Sequence, residues 1–274
     1  MPRVRYTNWW DHSDPADEWF SRFIAHHVAP RVRGSATNPA NLHFASCFGP
    51  RWKLEVAARV ATWSQRDPLR RLIQPHRVVF FSGENLPFQP EFRDYRDHAL
   101  NAPIALAIGT EPEEAHAHDP RYLRIPVWMP MHFSPEWGEP EWRNRYRELM
   151  HPWTHPDVRR GRLQLPGGHV GPHLPGGHAT RPRFATLVAR HGDKRGMRGR
   201  IVRAVEKLGP VARPSRFLHN DDRLAVEYGD DKRAYLRDFR FNLCPENSSH
   251  PGYVTEKLFD SFHSGTIPVY HGPA

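Results

Sequence analysis

The sequence predicts an α/β protein folded as two domains. Short apolar runs, too brief for helices, alternate with segments whose apolar residues repeat every three to four positions. That alternation lapses once, over about residues 134–180, where Pro, Gly, His and Trp dominate, and then resumes. A chain of 274 residues is long enough for two modest domains.

The elements follow in order. "RVRYTNW" (3–9) reads as a first strand. Asp14-Pro15 supplies a helix N-cap and a first-turn proline, ahead of Trp19, Phe20, Phe23, Ile24 and His27 on one face. "LHFASCFG" (42–49) is a second strand, and "LEVAARVATWSQ" (54–65) fits a helix. "HRVVFFSGEN" (76–85) is a continuous apolar run closed by a glycine turn, which predicts a parallel strand buried on both faces. "APIALAIG" (102–109) is another, and "RYLRIPVWM" (121–129) follows. The 134–180 stretch reads as a linker or surface loop, with "LPGGH" at 165–169 and again at 174–178. Its His169, His173 and His178 lack a nearby Cys or carboxylate to complete a tetrahedral metal set. Beyond it, "RFATLVAR" reads as a strand and 197–208 as a helix with Met197, Ile201, Val205 and Leu208 on one face. "RDFRFNLCPEN" (237–247) is a strand, and "VTEKLFDSFHSG" (254–265) a helix facing the core through Leu258, Phe259 and Phe262. "TIPVYHG" (266–272) is the last strand.

Composition narrows the function. Hydrophobic content of 38% with nine tryptophans rules out wholesale disorder. A net charge of +9 implies an anionic partner: nucleic acid, membrane surface or a phosphorylated small molecule. The two cysteines, Cys47 and Cys244, each lie in an apolar strand-like run and read as reduced, buried thiols. No apolar stretch approaches membrane-spanning length and the N-terminus has no signal-peptide core, so the expected location is cytoplasmic.

Cations gather where helices begin. Arg190, Lys194, Arg195, Arg198 and Arg200 crowd the start of the 197–208 helix, where the macrodipole disfavours positive charge. An anion docking on free amides and guanidinium forks would account for them; a solvated basic surface is the competing reading. The 254–265 helix repeats the theme with Lys257, and Glu256 about 100° round from it. In open α/β sheets ligands bind beyond the carboxyl ends of strands, where a lysine suits a diphosphate and a glutamate suits hydroxyls.

The whole segment "FRFNLCPENSSHPGYVTEKLFDSFHSGTIPVYHGP" (239–273) resembles the donor-binding motif of the α-1,3/1,4-fucosyltransferases, glycosyltransferase family ten. Upstream, "RVVFFSGEN" and "RYLRIPVWM" are similar to the family's acceptor-domain segments, and "RFATLVAR…GMRGRIVRAV" to the opening of its donor domain. The resemblance implies two Rossmann-like domains facing across a cleft, the GT-B type. An acceptor-binding domain would occupy 1–150, a linker 151–180 and a GDP-fucose donor domain 181–274. It implies an inverting transfer of fucose from GDP-fucose to an oligosaccharide acceptor, at a hydroxyl of an N-acetylglucosamine- or glucose-containing glycan. Arg198 and Lys257 would neutralise the diphosphate, and Glu256 would bind donor hydroxyls. Asn247 and Tyr253 would line the fucose and nucleotide pocket, and Glu84 would be the general base. No cofactor or metal is implied, GDP-fucose being the donor substrate.

Two positions depart from the family's pattern, Pro245 before Glu-Asn-Ser and "VARHG" (188–192) where a Ser-Asn pair is usual. Family members also continue past the Gly272-Pro273 region, so the donor domain is expected to be incomplete and the chain truncated. Attachment to a membrane through a missing C-terminal tail stays open. The alternatives are a glycosyltransferase for another nucleotide sugar, an inactive nucleotide-binding fragment, and a basic nucleic-acid binder. The last is disfavoured because the cations sit at helix starts rather than along one stripe.

Overall fold

A computed structural model describes residues 4–10, 14–28, 41–66, 76–86, 88, 92, 95, 100–150, 164–165, 169–170 and 181–273. It divides into two compact units, Met1–Trp137 with His250–Tyr253, and Gly138–Ser249 with Val254–Ala274. Both are α/β with parallel sheets, as the alternation of strand and helix signals predicts. No helix among the described residues is long and apolar enough to cross a membrane.

In the first unit β1 (Val4–Thr7), β2 (Asn41–Ala45), β3 (His76–Phe81), β4 (Leu106–Gly109) and β5 (Tyr122–Arg124) pair in sequence order, all parallel. Strand side chains alternate between faces, and β3 is apolar on both. Val78 and Phe80 pack with Leu54, Ala58 and Ala61 of helix α2 (Arg51–Arg66). Val79 and Phe81 pack on the opposite face with Trp9, Phe20 and Ile24. The first helix departs from expectation. Asp14 does not cap it; its carboxylate accepts the Ala16 amide at 2.9 Å in a local turn, and α1 begins at Trp19 (Trp19–Phe23). An aspartate bonding two residues ahead offers the backbone a turn in place of a helix. Helix α3 (Trp128–His132) completes the unit.

Helix α4 (Glu139–Met150) falls in the second unit, so this part of the 134–180 stretch is a helix and not a loop. Pro140 suits its first turn, and buried Arg145 donates to Glu148 at 3.0 Å. His173 and His178 lie outside the described residues; β6 (Gln164–Leu165) and β7 (His169–Val170) form a small antiparallel pair.

The second sheet runs β11-β10-β8-β9, all parallel: β8 (Arg183–Thr186), β9 (Val211–Ala212), β10 (Phe239–Leu243) and β11 (Ile267–Val269). Helix α5 (Met197–Glu206) joins β8 to β9, α6 (Arg223–Val226) and α7 (Lys232–Leu236) join β9 to β10, and α8 (Glu256–Ser264) joins β10 to β11. The chain leaves β8 toward one edge and returns on its other side, which makes the β8–β10 boundary a topological switch point. Sheets of this kind open a crevice there, beyond the carboxyl ends of the strands.

Two helix faces sit one position away from the sequence reading. In α5 the fully buried apolar residue is Val202, and Leu208 is 78% exposed because the helix has already ended at Glu206. In α8, Phe259 is buried as expected, but Asp260 and Ser261 share its inward face while Leu258 and Phe262 are half-buried. Partners make that burial affordable: Asn242 Nδ2 donates to Ser261 Oγ at 2.8 Å, and two cations hold Asp260. Gly265 closes α8 in the left-handed conformation (φ 67°), letting its amide and that of Thr266 return to the last turn.

Candidate donor-binding site

At the switch point a cleft of about 860 Å³ opens in the second unit. Its walls are the residues that follow β8 (Val188–His191), β9 (Pro214–Arg216) and β10 (Asn247), with the starts of α7 and α8. Five cationic side chains line it, Arg190, Arg198, Arg216, Lys232 and Lys257, against two carboxylates, Asp230 and Glu256. Such an excess of positive charge at strand ends fits an anionic ligand.

Arg198 is 3% exposed and rigidly placed. Its guanidinium donates to the carbonyls of His191 (2.6 Å) and Pro245 (3.3 Å) and to Oδ1 of Asn247. These acceptors are neutral and fix the fork's orientation, while the Asp193 carboxylate feels its charge. Two amides at the start of α5 already have a partner within the chain. The Asp193 carboxylate accepts from Met197 N at 2.8 Å and Arg198 N at 2.7 Å. Burial pushes the Asp193 carboxyl up, but these amide bonds outweigh it and hold the group below the ordinary carboxylate range. The Met197 and Arg198 amides at this helix start are thus held by the chain's own carboxylate.

A second internal carboxylate organises α8. Glu246, whose side chain has no solvent exposure, accepts from the Thr255 amide (2.7 Å), the Thr255 hydroxyl (2.7 Å) and Lys257 Nζ (3.3 Å). Lys257 Nζ also donates to Thr255 Oγ1 at 2.8 Å and lies 3.5 Å from Glu256. Burial pushes the Glu256 carboxyl up; Lys257 and then Lys232 more than reverse this, so it stays ionised below the usual range. An ionised carboxylate beside cations can accept from sugar hydroxyls while the cations hold a phosphate.

The cleft brings together Arg198, Asn247, Glu256 and Lys257 of the sequence-nominated residues. Tyr253 is not among the residues that line it; the side chain is buried, and residues 250–253 group with the first unit. Glu84 is also in the first unit, half-buried in the turn after β3. Ser82 Oγ accepts the Glu84 amide at 3.1 Å, and Leu86 N–H donates to the Glu84 carbonyl at 3.0 Å. A Cβ at Gly83 would stand 2.5 Å from Val127 Cγ2, so the turn requires glycine. Glu84 lines a small hollow with Ser82, Glu111, His116 and Tyr122.

Residues 180–274 match the glycosyltransferase family 10 (fucosyltransferase) C-terminal region. The matched stretch contains every residue that lines the cationic cleft. The chain is similar to the alpha-(1,3)-fucosyltransferase FucT of Helicobacter pylori, 50% identical over 42 residues, or 15% of this chain and 9% of that protein. It is similar also to the human 4-galactosyl-N-acetylglucosaminide 3-alpha-L-fucosyltransferase 9, 37% identical over 59 residues, or 21% of this chain and 16% of that one. These matches span well under a fifth of either relative. A crystal structure of an alpha1,3-fucosyltransferase superposes with a TM-score of 0.50 at 20% identity, covering 99% of this chain and 69% of that one. That likeness supports the GT-B class of fold.

Arg216, Lys232 and Asp230 were not nominated from sequence. They lie in residues 211–236, where a two-residue strand and two helices of four and five residues are too short to show a period. The one available signal was position, since "RPSR" follows a strand's carboxyl end.

Both cysteines are free and buried, and burial pushes the Cys47 thiol up to about 11 and the Cys244 thiol up to about 12. They read as inert core thiols.

Proposed function

We propose that the protein is an inverting glycosyltransferase that moves fucose from GDP-fucose to a hydroxyl of an N-acetylglucosamine- or glucose-containing glycan, in α-1,3 or α-1,4 linkage. The observation that carries this reading is the convergence of Arg198, Asn247, Glu256 and Lys257 on one cationic cleft at a topological switch point. In the reaction the acceptor oxygen bonds to the anomeric carbon as the bond from that carbon to the diphosphate oxygen breaks. The acceptor's proton passes to the Glu84 carboxylate, and the charge left on GDP is stabilised by Arg198 and Lys257. Glu256 accepts from donor hydroxyls, and Asn247, itself bonded to Arg198, orients that guanidinium. The role of Tyr253 rests on the family resemblance alone.

Calorimetric titration of GDP and UDP tests the reading. GDP should bind in preference to UDP, and Lys257→Ala or Arg198→Ala should each weaken GDP binding by about 1.5–3 kcal/mol, the scale of a lost charge-assisted hydrogen bond. Equal affinity for the two nucleotides, or GDP affinity unchanged in both variants, would overturn it.

A further inference from the structure

We propose that Lys232 is a further donor-binding residue, aimed at the diphosphate of the nucleotide by the buried carboxylate of Asp260. This rests on the nucleotide-sugar reading of the cleft. Lys232 opens α7 and lines the cleft. It also lines a smaller adjoining hollow with Arg198 and Lys257, so these three cations surround one space beyond the ends of β8 and β10. Asp260 lies one turn beyond Glu256 on α8 and is 4% exposed. Its Oδ2 accepts from Lys232 Nζ at 2.7 Å and its Oδ1 from Arg233 Nε at 3.2 Å. One carboxylate thus meets two cations.

That arrangement differs from an ordinary ion pair in two ways. A pair formed only for stability has no need of a cleft, whereas here the lysine also lines the wall that Arg198 and Lys257 line. The Lys232 charge is also felt at Glu256, where it helps to keep that carboxyl ionised. Holding a lysine stem in advance removes most of the ordering cost that a free surface lysine meets on binding. Asp260 is accordingly a positioning residue, acting through Lys232.

The test uses the full chain, with GDP and guanosine as probes. Lys232→Met keeps the apolar stem and removes the charge. It should weaken GDP binding about tenfold to a hundredfold, the range for a charge-assisted contact, and leave guanosine binding within about twofold. Lys232→Arg should recover GDP binding to within about threefold, and Asp260→Asn should weaken GDP more than guanosine. A measurement on the unmodified protein covers the case in which a variant does not fold: GDP, and not guanosine, should slow acetylation of Lys232, read by mass spectrometry. GDP affinity unchanged in Lys232→Met, GDP and guanosine falling together, or labelling indifferent to GDP would overturn the proposal. If the unmodified protein bound no GDP, the nucleotide-sugar reading would fall as well; loss of GDP in Lys257→Ala with none in Lys232→Met would sink this inference alone.

Discussion

Replacing Glu246 by alanine should unfold the start of α8 and loosen Lys257 with it. The carboxylate is wholly buried and accepts three hydrogen bonds, from the Thr255 amide, the Thr255 hydroxyl and the Lys257 ammonium. Each charge-assisted bond contributes about 1.5–3 kcal/mol in isolation. They share one acceptor and do not add, so the whole is better set by the cost of breaking a buried pair, about 3–5 kcal/mol. Domains of ordinary stability hold about 5–15 kcal/mol, so this one side chain accounts for a large fraction. Glu246→Gln keeps one carbonyl acceptor and loses the charge, and should cost less, about 1.5–3 kcal/mol. Urea denaturation followed by fluorescence gives both values. Lys257 keeps Thr255 and Glu256 as partners, so GDP binding should weaken in Glu246→Gln without vanishing. A loss below about 1 kcal/mol for Glu246→Ala would refute the reasoning, because the three donors would then be finding water or another acceptor.

Glu84→Gln should lower turnover by about 10²–10⁴-fold while leaving GDP affinity unchanged, since glutamine preserves shape but cannot take the proton; single-turnover assays against an oligosaccharide acceptor would show it, and turnover within a few-fold of the parent would place the base elsewhere. Asp193→Ala should cost about 0.5–2 kcal/mol through loss of the cap on α5, read from the denaturation midpoint. The same carboxyl sets a pH effect. Its folded pKa lies below the unfolded value near 3.9, so its contribution is present above about pH 4 and disappears as pH falls through the folded value. Asp193→Ala should therefore show a smaller acid-side loss of stability than the parent, and an identical acid profile would count against the capping role.

How far the sequence discloses this protein depends on the length over which a signal repeats. β3 was legible because Val78, Val79, Phe80 and Phe81 fill two faces at once, and only a strand covered on both sides tolerates that. Lys257 and Glu256 were legible because they open a nine-residue helix behind a long specific motif. The opposite wall of the cleft was not: Arg216 and Lys232 hang from elements of two to five residues, set by tertiary contacts rather than by local pattern. The misreadings share a cause as well. The apolar pattern of α8 points Leu258 and Phe262 inward, whereas the buried face carries Asp260 and Ser261 beside Phe259. Once Lys232, Arg233 and Asn242 supply partners, burial of those polar groups is no longer costly. The same holds for Glu246 and Asp193, which sequence alone presents as two more acidic residues in loops. Their amide and ammonium donors turn them into the internal anions that fix the two helix starts. That arrangement has a consequence for function. A cleft lined by five cationic side chains, with the Met197 and Arg198 amides already held by Asp193, draws on guanidinium and ammonium groups for affinity. Its grip on a nucleotide diphosphate should therefore weaken with added salt more steeply than that of a site built from buried backbone amides.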